Sequence, residues 1–421
     1  MIGLFRSKPA IAPTGAAAHS AGLPHGMTEL TTDALPPLYE FNDIVVMPTQ
    51  SEEGMVAKAG PIWPDWDGAA TVRHRRHHHA VDSRPQDPGA LASIEILDGS
   101  AAWGGHAVDH FGHWLAEHST RLLHLAILAS ADSQVLFTLP NGVRANMLPA
   151  FFWQTLAWYG IDAERVRFVT KPLRVAHLYA APMAELWAGA APTEAYLNAL
   201  EGRAVDQLGQ TNPEGTLYVT RDGVAAGGAG HNAGESYLAS CLKHLGVTVL
   251  HPESRPLTDQ LRAYASADQL IFSEGSALHG RQLIGRMAQH IVVLNRRKQT
   301  RIAKDALQPR CTRLTYCDVT HDELNVYFRD GRPWPVRALS LYDVSALLEQ
   351  LDYVGMQLAE IWDQTAFEAA RDADIRRWIK LRFEQRRPLD VQKSVSAIRE
   401  VLERNNLAHL ASALPNPVAV F

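Results

Sequence analysis

A chain of 421 residues is too long for one small core, and its hydrophobic fraction of 46% and charged fraction of 20% are those of a globular protein of about two domains. The formal net charge of −5 argues against a dedicated nucleic-acid binder, which carries a basic excess. Cys241, Cys311 and Cys317 are odd in number and lack CxxC spacing, which excludes a disulfide framework and a cysteine zinc site and fits a reducing compartment.

Residues 1–37 are rich in Ala, Pro, Gly, Ser and Thr and read as a loosely ordered arm. They lack the continuous apolar core of a secretory signal, and no run of about 18 apolar residues follows, so a cytoplasmic, unanchored protein is expected. Residues 38–90 show no clear pattern. The basic run "RHRRHHH", Arg73 to His79, reads as a solvated loop.

From Ser93 short β-rich runs alternate with helical patterns. "SIEILDG" predicts a strand, and a helix follows from about His110 to Ser130. "VLFTLP" predicts a strand and "RANMLPAFFWQTLAWYG" a helix stopped by Gly160; "RVRFVTKP" and "VAHLYAAP" are further strands. A second series starts at "TLYVTRDG". It continues through a helix after Gly234, "VTVLHP", the helix "TDQLRAYASA", the strand "QLIFSEGS", a helix to about Met287 and the strand "HIVVLNR". Apolar strands alternating with amphipathic helices predict parallel sheets covered on both faces. Two such series predict two Rossmann-like domains facing a cleft, with ligands beyond the carboxyl ends of the strands. The expected units are the arm 1–37, an acceptor-side domain 38–205, a donor domain 206–320 and a charged helical extension 321–421. The last is a surface for packing on the domains, a second copy or a partner.

The densest chemistry lies in "GGHAVDHFGHWLAEH", Gly104 to His118. Histidine titrates near neutrality and needs a partner when buried, so this cluster suggests a metal, an acid/base device or an anion site. His110, His113 and Glu117 fall at i, i+3 and i+7 and share a helical face, with Asp109 as N-cap and His106 in the preceding loop. Trp114 is a candidate sugar-stacking face beside His113. His110 and His113 are three apart, not the four of HExxH, so zinc held with His106 or Glu117 is only an alternative. Arg221 leaves a strand into a glycine-rich loop, a place for a guanidinium to clamp pyrophosphate. In "SEGSALHG", Gly275 and Ser276 can offer backbone amides and a hydroxyl to phosphate, Glu274 can accept from sugar hydroxyls, and His279 stands close by. "GGAGHNAG" is not a dinucleotide fingerprint, and the DxD lookalikes at Asp65–Asp67 and Asp372–Asp374 do not follow strands.

"DHFGHWLAEHSTRL", "ERVRF", "LYVTRDG", "LGVTVLHPE" and "LTDQLRAYASADQLIFSEGSALHG" together resemble glycosyltransferase family 61, over roughly residues 93–296. Relatives of that family include plant xylosyltransferases, animal N-acetylglucosaminyltransferases and bacterial capsular-polysaccharide proteins. The resemblance implies an α/β fold of GT-B type, inverting transfer and a nucleotide-sugar donor, usually uridine diphosphate linked; a glycan acceptor and no metal cofactor are expected. It also implies a catalytic face of His110, His113 and Glu117 beside Asp109, and a donor site of Arg221, Glu235, Gly275 and Ser276, flanked by Glu274 and His279. The alternatives are a zinc hydrolase built on the His110 helix and a relative that binds nucleotide or glycan without turnover.

Overall fold

The computed structural model describes residues 27–30, 35, 37–53, 56–76, 79–89, 93–129, 132–186, 191–385 and 387–416. The N-terminal arm therefore lies mostly outside the described residues, but Met27–Leu30 within it form strand β1. β2 (Leu38–Glu53) and β3 (Val56–Pro61) follow where the sequence showed no pattern. The apolar alternation of β2 is broken twice: Asp43 sits at φ 54, and the register with β3 shifts between Met47 and Ser51, around Pro48. Proline has no N–H to give the ladder, so a register irregularity is accommodated there.

After a small hairpin, β4 (Arg75–Arg76) and β5 (His79–Ala80), the strands β6 (Glu95–His106), β7 (Gln134–Thr138), β8 (Val166–Phe168) and β9 (Leu173–Ala180) complete a seven-stranded sheet. Its order is β1-β2-β9-β6-β7-β8, with β3 beside β2. β6 to β9 run parallel, but β2 is antiparallel to β9, so this sheet is mixed rather than parallel throughout. His106 ends β6 and does not belong to a loop.

The expected single helix from His110 is interrupted. It consists of α1 (Phe111–His113), a π-helical turn Trp114–His118, a bend, and α2 (Leu122–Leu128). Ser119 Oγ and Thr120 Oγ donate to the carbonyls of Leu115 and Glu117, and such hydroxyls compete with the helical ladder. α3 (Ala150–Tyr159) ends at left-handed Gly160, and α4 (Glu194–Leu208), capped by Thr193, leads to the second sheet.

The second series supplies β10 (Thr216–Val219), β11 (His231–Asn232), β12 (Thr248–Leu250), β13 (Gln269–Ser273), β14 (His290–Asn295) and β15 (Arg313–Asp318). Five of these form a wholly parallel sheet, β12-β10-β13-β14-β15. Between them lie α5 (Glu235–His244), α6 (Leu257–Ala265), α7 (Leu278–Arg281) and α8 (Lys304–Leu307). α7 stops far short of Met287. The fully buried Arg281 guanidinium gathers Gln289 Oε1 and the carbonyls of Gly285 and Arg310 there, which requires the chain to turn.

The segment after 320 is not purely helical. β16 (Thr320–Leu324) and β17 (Leu339–Tyr342) join β11 in a three-stranded sheet before α9 (Val344–Tyr353), α10 (Gln364–Glu384) and α11 (Val391–Arg404). A single core cluster runs from Leu122, Phe152 and Leu156 to Leu261, Leu270 and Phe272, so the two large sheets share buried packing. Among the described residues no helix is long and apolar enough to cross a membrane.

Several buried histidines make the fold sensitive to acid. Burial pushes His124 and His279 down to about 4 and holds His118 well below the ordinary histidine value. The unfolded chain binds protons first, so their contribution is complete above about pH 6.5 and is lost as pH falls toward 4, at about 1.4 kcal/mol per pH unit for each ring. Neither ring nitrogen of His124 has a hydrogen-bond partner, and the ring stacks on Tyr196. His124→Phe should therefore raise the melting temperature at pH 5 more than at pH 7.5. Equal shifts at both pH values would refute this.

Candidate functional site

β10 continues first to β12 on one side and then, through α6, to β13 on the other, so the strand order reverses between β10 and β13. The carboxyl ends at such a reversal form a crevice. Arg221 leaves one edge of it and Glu274–Ser276 the other. An ideal Cβ at Gly275 would stand 1.8 Å from Arg221 Nη1, so only glycine lets the guanidinium lie across this turn. Arg221 Nε and Nη2 both donate to Gly230 O, at 3.1 and 2.8 Å. Burial pulls its proton affinity down, offset partly by Glu235 and Glu274.

Two carboxylates assigned to the donor turn out to be structural supports. Glu235 is fully buried and Oε1 accepts from Tyr218 OH, Thr220 Oγ and Arg221 N at 3.0, 3.0 and 2.7 Å. It fixes the backbone from which Arg221 projects. Glu274, also fully buried, accepts from the amides of Arg296 and Arg297, from Thr300 Oγ, and from Arg297 Nε and Nη2. Burial raises Glu274, but the Arg297 charge and bonds outweigh it and leave the carboxyl below its ordinary value. With its oxygens so occupied, Glu274 is not an acceptor for sugar hydroxyls. It brings Arg297, and with it Arg296, to the crevice instead.

Sequence reading missed Arg296 and Arg297. Arg296 is buried, its Nε has no partner, and desolvation together with Arg221 and Arg297 pushes it down to about 10. Arg221 after β10 and Arg296 and Arg297 after β14 flank the end of β13, and three guanidiniums so placed can hold an anion with several oxygens.

The histidine motif follows β6, which lies at the corresponding reversal of the first sheet: the chain runs β6, β7, β8 to one side and returns as β9 on the other. His110, not Asp109, is the cap, its Nδ1 accepting from His113 N at 3.3 Å. Asp109 is exposed at the mouth of the turn. Burial, then His113, depresses His110. His113 Nδ1 is hydrogen-bonded to Glu117 Oε1, and His113 is 25% exposed while Glu117 is wholly buried. Trp114 is also wholly buried, against Phe152 with ring centroids 4.5 Å apart, so it is core and offers no face to a sugar.

The two motifs meet. A Cβ on Gly112 would approach Ser276 Oγ to 3.0 Å and His279 Cδ2 to 3.3 Å, so α1 lies directly on the β13 turn. α7 begins after Ala277 without a side-chain cap, leaving Ser276 half-buried beside α1 and not acting as the helix cap. His279 is buried, bonded through Nδ1 to Gln282 at 2.6 Å, and feels His113, Glu117 and His110.

The basic run also departs from its expected role. His74 Nε2 is 3.2 Å from Glu117 Oε2, and Arg76 donates from Nε and Nη2 to the two Glu117 oxygens at 2.6 and 3.2 Å. His77 and His78 lie outside the described residues. Among the described residues, His74, Glu117 and His118 form a cluster whose ligand atoms lie within 4.8 Å of one another. A divalent cation there would have to displace Arg76 from Glu117 and would face Arg121, which lines the adjoining cavity of about 40 Å³. The set suits proton handling better than a metal. His106 lines the same cavity, but both its ring nitrogens are taken, bonding Thr138 and Glu52 at 2.9 Å each.

An imidazole–carboxylate pair set against a guanidinium cluster, at the ends of parallel strands, is the layout of a group-transfer enzyme. Residues 111–294 match the model of the family described as Glycosyltransferase 61, and this match supports a glycosyltransferase enzyme. No curated protein matches the sequence. The matched segment holds His113, Glu117, Arg221, Glu235, Glu274–Ser276 and His279, whereas His74, Arg76, Arg296 and Arg297 lie outside it.

Proposed function

We propose that the enzyme moves a sugar, with inversion, from a uridine diphosphate donor to a hydroxyl of a glycan acceptor in cell-surface polysaccharide synthesis. We place it in the cytoplasm and assign it a GT-B arrangement, with 38–205 on the acceptor side and 206–320 on the donor side. In this reading His113 takes the proton from the acceptor hydroxyl, whose oxygen attacks the anomeric carbon opposite the diphosphate. The bond from that carbon to the diphosphate oxygen breaks, and Arg221, Arg296 and Arg297 stabilise the departing charge. No metal takes part, because the guanidiniums supply the positive charge a cation would bring.

The observation that carries this reading is the contact of Gly112 with Ser276 and His279, which sets the imidazole–carboxylate pair beside the donor-side turn. A thermal-shift screen of nucleotides and nucleotide sugars tests it. At 100 times its Kd a ligand stabilises by about 2.7 kcal/mol, so uridine diphosphate should raise the melting temperature without added metal and equally in excess chelator. Stabilisation that appears only with a divalent cation would overturn the metal-free reading. Stabilisation by other nucleotides but not by uridine diphosphate would overturn the donor class.

A further inference from the structure

We propose that Arg76, assisted by His74, is a positioning residue that holds Glu117 against His113 and keeps that imidazole ready to accept a proton. This rests on the reading of His113 as the base. The proposed residues sit on and just before the β4–β5 hairpin, outside the family-matched segment.

A base must begin the cycle neutral. Glu117 is completely buried, and an ionised carboxylate in that position is costly unless a cation stands beside it. With His113 as its only partner, the buried carboxylate would lack a permanent cation to hold its charge. Arg76 removes that difficulty by approaching side-on, with one nitrogen to each carboxylate oxygen. Glu117 can then stay ionised beside a neutral ring and still stabilise that ring once it is protonated. Burial pushes the Glu117 carboxyl upward, but bonds from His113, His74 and Arg76 outweigh burial and hold it far below the usual carboxylate range.

The hairpin is built to deliver these groups. The buried Arg121 donates to Val72 O and Arg73 O at 2.9 and 3.3 Å. Arg73 donates to Asp82 Oδ1 at 2.8 Å and lies 3.8 Å from the centroid of the Trp66 ring, and His74 stacks on His118 at 4.4 Å. A solvated loop would not be pinned on three sides. The charged and titratable groups around the pair are Asp109 and His110 at the start of α1, His118 on the π-helical turn, His279 on α7, and His74 and Arg76 on the hairpin. Arg76 is the one among these that is permanently cationic and bonded to Glu117.

The test needs no substrate. Full-length protein carrying ¹³C-labelled histidine is titrated by NMR, with the His113 resonance assigned by its loss in His113→Gln. Removing the Arg76 charge exposes His113 to more of the Glu117 charge, so the midpoint of that resonance should move up by about one unit in Arg76→Gln. Glu117→Gln should move it down, and Arg76→Lys, which keeps the charge but not the two-pronged contact, should fall between wild type and Arg76→Gln. A purely structural hairpin predicts no ordered shift of this kind. An unchanged or lowered midpoint in folded Arg76→Gln overturns the proposal. If that variant does not fold, Arg76→Lys decides: a midpoint at the wild-type position overturns it. Full turnover in His113→Gln would instead overturn the reading of the base, and the titration does not depend on that result.

Discussion

His113→Gln is expected to lower turnover by about 10²–10⁴-fold, the range a positioned base contributes, while uridine diphosphate binds within about twofold of wild type. The expectation separates His113 from His110. His113 is partly exposed and has its Nδ1 committed to the buried Glu117, an arrangement that fixes which ring nitrogen carries a proton. His110 uses its own Nδ1 to cap α1, so His110→Ala should cost about 1 kcal/mol of stability through the lost cap and reduce turnover less than His113→Gln. Glu117→Gln should fall between the two, since the amide still meets the ring but the charge that stabilises its protonated form is gone. Donor consumption measured beside calorimetric nucleotide binding checks all three. Full turnover in His113→Gln, with an intact fold, would move the base elsewhere.

Arg221→Ala should weaken uridine diphosphate binding by about 1.5–3 kcal/mol, the range for hydrogen bonds to charged groups. Arg221 reaches its place because Gly275 has no side chain and because Glu235 fixes its backbone, so the guanidinium is preorganised before the donor arrives. Arg221→Lys should recover little of the loss, because a point charge cannot reproduce the planar fork. Gly275→Ala should weaken binding as well, by forcing the guanidinium out of a space in which a methyl group would overlap it. An unchanged affinity in Arg221→Ala would remove this residue from the donor site and leave Arg296 and Arg297 as its cationic wall.

Local pattern made the second series legible. β10, β13 and β14 are short apolar runs ending in turn residues, and their neighbours in a parallel sheet need only be apolar to be recognised. β2 was not legible, because Asp43 and the irregularity at Pro48 break the alternation that marks a strand, and only pairing with β9 restores it. The same holds for β11, a two-residue segment whose partner β17 lies about 100 residues further along the chain.

The site divides along the same line. The sequence alone determined the α/β class, the family resemblance and the candidate site residues that follow strands: His110, His113, Glu117, Arg221 and the Gly275–Ser276 turn. These were readable because strand ends and residue spacing are local properties. Only the tertiary structure decided what each group does there. Burial turned Glu235, Glu274 and Trp114 from ligand contacts into supports, since a fully buried carboxylate spends its oxygens on its own chain and a buried indole spends its faces on the core. Packing also brought Arg76, Arg296 and Arg297 in from distant segments, and a charge in a basic run or after a strand carries no local mark of the carboxylate it will meet. That pairing depends on which surfaces are excluded from water together, and distance along the chain does not record it.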